Sequence, residues 1–271
     1  MSALSAVSKT AVLTLRARAD ESKKPQRLFN DPWAVEWSQK LPWPKELDKW
    51  YTPFSQSKTA IRAHQMDLLV GGLLSVMPEK TTVVELGCGF STRADRLGHS
   101  PWIALDLPAV MEARKELGDD TASIEASVLD TAWIDIVDQV PNLILIAEGL
   151  LFYLPRAEID ALFGSLRSRL EGAIMMFDVI GQRDLHRSFS ASNQVGAPIL
   201  WSVLPPFETA QRDFGIDVIP GLEPDKVLEQ TIEGFGMHFG PLFAGALRGV
   251  SKIPPMRARR SGIMVGTIRR P

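Results

Sequence analysis

The stretch Thr82-Val83-Val84-Glu85-Leu86-Gly87-Cys88-Gly89-Phe90-Ser91-Thr92 decides the fold of this chain. Its first half is apolar and β-branched, as in a strand buried on both faces of a parallel sheet. It runs into Gly87-x-Gly89, where two residues without side chains let the backbone turn tightly and approach a ligand. Nineteen residues past Gly87, a second apolar run, Trp102-Ile103-Ala104-Leu105, ends in Asp106. An acid at that strand tip is placed to take the two hydroxyls of a ribose.

Position 92 is Thr, so the third glycine of a dinucleotide fingerprint is absent. A pyrophosphate wants helix-terminal amides and no carboxylate beside it, yet Glu85 lies two residues before Gly87. A carboxylate there suits a cationic ligand that bears an ammonium and a sulfonium. The expectation is therefore S-adenosylmethionine rather than a dinucleotide.

The bulk composition bounds the remaining choices. A chain of 271 residues, 45% hydrophobic and 23% charged with a formal charge of -2, fits one large α/β domain or two small ones. Neither a nucleic-acid partner nor a membrane is expected from that balance. The single cysteine, Cys88, rules out an internal disulfide and fits a reducing cytoplasm. Lying between two glycines without a Cys-His signature around it, it reads as a small turn residue rather than a nucleophile. His64, His99, His186 and His238 have no metal-ligand spacing, and no metal is expected.

Along the chain, a helix is expected around Thr10–Arg18, and Asp31-Pro32 opens another with proline in its first turn. Residues 41–54, with Trp43, Trp50, Tyr51 and Phe54, read as an ordered loop that either packs on the main domain or walls a substrate. Residues 57–77 carry Ile61, Met66, Leu69, Leu73, Leu74 and Met77 on one helical face, with Arg62 on its flank. Alternation begins after that: strands at 82–86, 102–106, 122–129, 143–147 and 173–180, with helices between them. This is the βαβ rhythm of a doubly wound, mostly parallel sheet.

Polar residues gather at the carboxyl ends of these strands: Gly87, Asp106, Asp130, Glu148 and Asp178. Ligands of open α/β sheets bind along that edge. Asp130 is placed to reach an adenine amino group, with Leu129 and Trp133 against its ring. Capping of the following turns competes with ligand contact for Asp130 and Glu148. After residue 180 the rhythm breaks, and 182–222, with Arg183, His186, Phe189 and Trp201, reads as a lid or small subdomain. A helix at 224–233, a strand at 237–239, a solvated turn at Arg257–Arg260 and a closing antiparallel strand at 262–268 complete the expectation.

Several phrases together carry a resemblance: Arg18-Ala19-x-Glu21, Asp31-Pro32-x-Ala34, Glu85-Leu86-Gly87-x-Gly89, Thr92-Arg93-x-x-x-Leu97, Asp106-Leu107-Pro108 and Ala147-Glu148-Gly149-Leu150-Leu151-x-Tyr153-Leu154. Over roughly residues 10–180 the chain resembles the leucine carboxyl methyltransferase family, and within it the bacterial polyketide O-methyltransferases of the tetracenomycin type. It departs from the family pattern at Ser91 and Ala132, where that family usually has Asp. The resemblance implies a class I S-adenosylmethionine-dependent methyltransferase fold: a Rossmann-like seven-stranded sheet at 79–271, an N-terminal helical cap at 1–78 and a lid at about 182–222. It also implies roles. Arg62 would pair with the cofactor's carboxylate, Gly87 and Gly89 with Glu85 would line its amino-acid end, and Glu148 would sit near its ammonium. Asp106, with Leu107 beside it, would hold the ribose, and Leu129 and Asp130 would frame adenine. Arg18, and less directly Arg16, would join Arg62 around carboxylates, and Tyr153 would border the methyl-transfer space.

Methyl transfer from a sulfonium is an in-line displacement in which the protein mainly positions the reactants. A carboxylic acid, which ordinarily titrates near about 4, is already ionised at neutral pH and needs no base. A phenol, which ordinarily titrates near about 10, needs one, such as His186 or His238. The expected substrate is thus a small-molecule carboxylate, polyketide-like and apolar, becoming a methyl ester. Hydroxyl methylation on the same fold stays open, as do a catalytically silent cofactor-binding subunit and a homodimeric assembly.

Overall fold

A computed structural model describes residues 6–99, 101–181, 196–200, 206–253 and 261–271. Helix α1 (Ala6–Ser22) is followed by α2 (Pro32–Lys40) and α3 (Pro53–Leu74). Two of these helices start where local chemistry dictates. Asp31 accepts the Ala34 amide at 2.8 Å with Pro32 next in line, and Thr52 and Ser55 form a reciprocal capping box ahead of Pro53. Between α2 and α3 the expected loop holds one short turn of helix, Lys45–Leu47.

The alternating region then runs β1 (Thr82–Leu86), α4 (Arg93–Leu97), β2 (Trp102–Asp106), α5 (Pro108–Glu116), β3 (Ala122–Glu125), α6 (Ile134–Val137), β4 (Leu143–Ala147), α7 (Arg156–Arg169) and β5 (Ile174–Val179). A helix at Pro206–Phe214, β6 (Ile216–Val218), helices Pro224–Phe239 and Pro241–Lys252, and β7 (Gly262–Ile268) complete it. The seven strands lie in the order β3-β2-β1-β4-β5-β7-β6, with β7 antiparallel to both of its neighbours. Sequence order reverses between β1 and β4, and that switch point opens a crevice at the carboxyl ends of the strands.

Each central strand is buried throughout, and alternate residues feed two cores. Val84, Leu86, Leu145, Ala147, Met175 and Phe177 pack against α6 and α7 on one face. Val83, Ile144, Ile146, Ile174 and Met176 pack against α3 on the other. A third cluster joins α1 and α2 to Phe90 and to Ala113 of α5, so the N-terminal helices lie directly on the β1 turn.

Three expectations change. Strand β3 stops at Glu125, short of 129, because Ser127 starts a turn in which its hydroxyl accepts the Leu129 amide and its carbonyl accepts that of Asp130. Residues 237–239 are not a strand but the last turn of helix Pro224–Phe239, which Gly240 ends before Pro241 opens the next helix. Part of the region read as an insertion belongs to the sheet: Pro206–Phe214 packs on the core through Phe214 and leads into β6. A three-residue strand is too short to leave a period in sequence, whereas the helix did leave one, with Phe207, Ala210 and Phe214 at three-and-four spacing toward the core. Arg183, His186, Phe189 and Trp201, and the Arg257–Arg260 turn, lie outside the described residues.

Candidate functional site

The crevice is built from the turn after β1. Gly87 and Gly89 both take positive φ, 61° and 52°. A Cβ on Gly87 would stand 2.7 Å from Leu150, and one on Gly89 would stand 2.9 Å from Ala11 of α1. Only glycine fits both the conformation and the space. Between them Cys88 is buried, and burial pushes its thiol well above its ordinary pKa, which fits a turn residue rather than a nucleophile.

Asp106 ends β2 and fastens the turn from the side. One carboxylate oxygen accepts the Gly89 amide at 2.7 Å and the other the Leu107 amide at 2.7 Å. Burial raises its pKa even so, with the two amides working against that rise. Leu107 is exposed beside it.

Glu148 and Asp178 stand just past β4 and at the end of β5, and both meet Arg62 of α3. Arg62 Nε donates to Glu148 Oε1 at 2.9 Å and its Nη1 donates to Asp178 Oδ2 at 3.0 Å. Asp178 Oδ1 accepts the Gly149 amide at 2.9 Å. Burial works against ionisation of Glu148, but Arg62 and Arg93 outweigh it and hold the carboxyl below its usual range. For Asp178 burial prevails over Arg62, and the carboxyl is raised. The Arg62 guanidinium thus engages the protein's own acids, with its side chain 28% exposed at the crevice.

Beneath these groups lies a buried charge network that sequence reading missed. Arg93 reaches Asp67 Oδ1 at 2.7 Å, Glu85 and the second oxygen of Glu148. Arg96 spans Asp67 at 2.7 Å and Asp31 at 2.9 Å, and Thr92 Oγ1 donates to Asp31 at 2.7 Å. Arg18 joins Asp31 at 3.1 Å and the Phe90 carbonyl. The network therefore runs from α1 to the strand tips. It also changes two expectations. Glu85 points at Arg93 rather than into the crevice, and Arg18 is a buried strut between α1 and the β1 turn rather than a group facing a ligand. Asp67 did leave a signal in sequence: it shares the buried helical face Ala63, Met66, Val70, where an acid needs a partner.

The other candidates lie nearer the rim. Asp130 is exposed and caps the turn at Ala132, and Leu129 is half-buried against the core. Trp133 is not available to stack on a ring, because it is buried and its indole N–H donates to the Val128 carbonyl at 3.0 Å. Tyr153 is half-buried in an apolar wall with Leu13, Trp43, Leu47, Trp50 and Ala197, and its hydroxyl bonds to Thr10. Arg16 pairs with Asp20 on α1. His238 is bound to the buried Glu21 at 3.1 Å. Among the described residues no group of three or more metal-ligating side chains converges, and no helix is long and apolar enough to cross a membrane.

No family model matches the chain. It is 27% identical over 272 residues, covering 94% of each chain, to the tetracenomycin polyketide synthesis O-methyltransferase TcmP of Streptomyces glaucescens. It is also 27% identical over 179 residues, covering 59% of this chain and 60% of the relative, to the S-adenosyl-L-methionine-dependent methyltransferase dpfgK of Gibberella zeae. A solved structure of a candidate methyltransferase from Thermobifida fusca superposes with a TM-score of 0.53 at 14% identity, covering 93% of this chain and 94% of that one. With this strand order and these likenesses, the chain has the class I methyltransferase fold, a Rossmann-like, mostly parallel sheet of seven strands.

Proposed function

We propose that this protein is an S-adenosylmethionine-dependent O-methyltransferase that converts the carboxylate of a small, apolar acid to its methyl ester. One observation carries the reading. At the switch point of the sheet, a glycine turn stands between Asp106 on one side and an ionised Glu148 on the other. The likeness to two methyltransferases, one named for this cofactor, supports it.

The residues present fit such a ligand. Among the described residues each Asp106 oxygen accepts one amide, so each keeps a lone pair for a ribose hydroxyl. Glu148 supplies negative charge for an ammonium, and Arg62 is the network's most exposed guanidinium, placed to exchange an internal acid for a ligand carboxylate. When bound, the cofactor supplies an electrophilic methyl group on sulfur. The protein's part is alignment and exclusion of water, for which the wall of Leu13, Trp43, Trp50 and Tyr153 is suited.

Proton accounting supports the carboxylate reading of the acceptor. Glu148, held ionised by two arginines, is a poor proton acceptor, which matters little if the substrate is already a carboxylate. Asp178 favours the second reading, hydroxyl methylation, because its raised carboxyl at the β5 tip is a better base. Incubation with methyl-labelled cofactor and a panel of aromatic acids and phenols separates the two. Label released by mild alkali marks an ester, whereas alkali-stable label marks an ether and overturns the carboxyl assignment. Tight cofactor association without transfer to any member of the panel marks a silent binding subunit. A cytoplasmic setting, inferred from the single buried thiol, belongs to the same proposal.

A further inference from the structure

Arg93 opens α4 with a side chain only 1% exposed, and acids from three elements converge on it: Asp67 of α3, Glu85 of β1 and Glu148 beyond β4. Glu148 is therefore gripped from two sides. Arg62 approaches from the crevice and shares itself with Asp178. Arg93 approaches from within the fold, where it is closed off from solvent. The neighbouring Arg96 is almost as buried, at 4%, and belongs to the same network, but its partners are Asp67, Asp31 and Thr92.

We propose that Arg93 is the positioning residue of the methyl-donor pocket. It keeps Glu148 aimed at the ligand's ammonium, and through Glu85 it anchors the strand that ends in Gly87. Arg62 is thereby free to leave Glu148 for the ligand's carboxylate. The proposal rests on the cofactor reading above. The planar guanidinium suits the task because its five donors can meet three carboxylates at once, whereas a lysine ammonium is a single point charge. A guanidinium closed in the interior cannot follow the ligand, so Glu148 retains one fixed partner while the other exchanges.

Titration calorimetry of the full-length protein with S-adenosylhomocysteine tests this. Arg93→Lys is expected to lower affinity roughly 10- to 100-fold, the loss of a charge-assisted contact, and Arg96→Lys less than about threefold. In a Glu148→Gln background Arg93→Lys should cost little more, because residues acting through one another are not additive. Urea unfolding of each variant sets its fold stability beside its affinity. If Arg93→Lys does not fold, Arg93→Gln with Glu85→Gln removes one charge of each sign and asks the same of Glu148. Equal affinity losses for the Arg93 and Arg96 variants, or full additivity with Glu148→Gln, would overturn the assignment and leave Arg93 a general support. Absence of heat with the unaltered protein would overturn the cofactor reading itself.

Discussion

Single residues around the crevice make separable contributions. Asp106 touches both the glycine turn and the start of α5, so Asp106→Ala removes the proposed ribose acceptor along with two amide anchors. Hydrogen bonds to charged groups contribute about 1.5–3 kcal/mol each, so affinity for S-adenosylhomocysteine should fall at least tenfold by calorimetry. Unchanged affinity would remove the ribose assignment. Glu21 makes a different kind of contribution. It is fully buried; burial alone would raise its pKa, but His238, Lys24 and the Leu28 amide bring it down to about 2. An unfolded glutamate titrates near about 4.3, so the folded state favours the charged form by about 3 kcal/mol. That stability is complete above about pH 4.5 and fades as pH falls toward 2. Acid unfolding followed by circular dichroism should therefore show a shallower loss between pH 5 and 2 in Glu21→Gln.

At the level of elements, the N-terminal helices are tied to the sheet by charge as much as by apolar packing. Asp31 caps α2 through one oxygen, and through the other it receives Arg18 of α1 and both Thr92 and Arg96 at α4. Asp31→Asn keeps a competent cap but removes the negative charge between two buried guanidinium groups. A lost cap costs about 1 kcal/mol, whereas breaking a buried pair costs about 3–5 kcal/mol. The unfolding free energy obtained from urea titration should therefore drop by the larger amount. A loss of only the smaller size would mean that Arg18 and Arg96 find other partners. Elements were legible to different degrees for the same kind of physical reason. Central strands such as Leu143–Ala147, bounded by turn residues, declare themselves through unbroken apolar runs. The edge strand Ile216–Val218 is only three residues long and is supported on one side only, by β7. Its apolar pattern is correspondingly thin.

The whole molecule places its acids along one edge of a sheet, and a ligand seated there would touch residues from β1, β2, β4 and α3 at once. Such a ligand binds only the folded state. At one hundred times its dissociation constant it adds about 2.7 kcal/mol of stability, a shift in Tm of roughly 5–10 °C for a chain of this size. Scanning calorimetry with S-adenosylhomocysteine should show that rise, and Arg93→Lys should reduce it at equal ligand concentration. A flat response would mean that the edge does not bind this nucleoside.

By itself the sequence determined the central strands, the glycine turn and the acids Asp106, Glu148 and Asp178 at or just past strand ends, because each depends on residues near one another in the chain. Hydrophobic period, missing Cβ atoms and the last residue of a strand are local properties. Only the tertiary structure decided which charge meets which. Arg93 is 55 residues from Glu148 and 26 from Asp67, and Arg18 is 72 from the Phe90 carbonyl. Five acids and four arginines admit many pairings in sequence, and burial selects the one in which no charge is left without a partner.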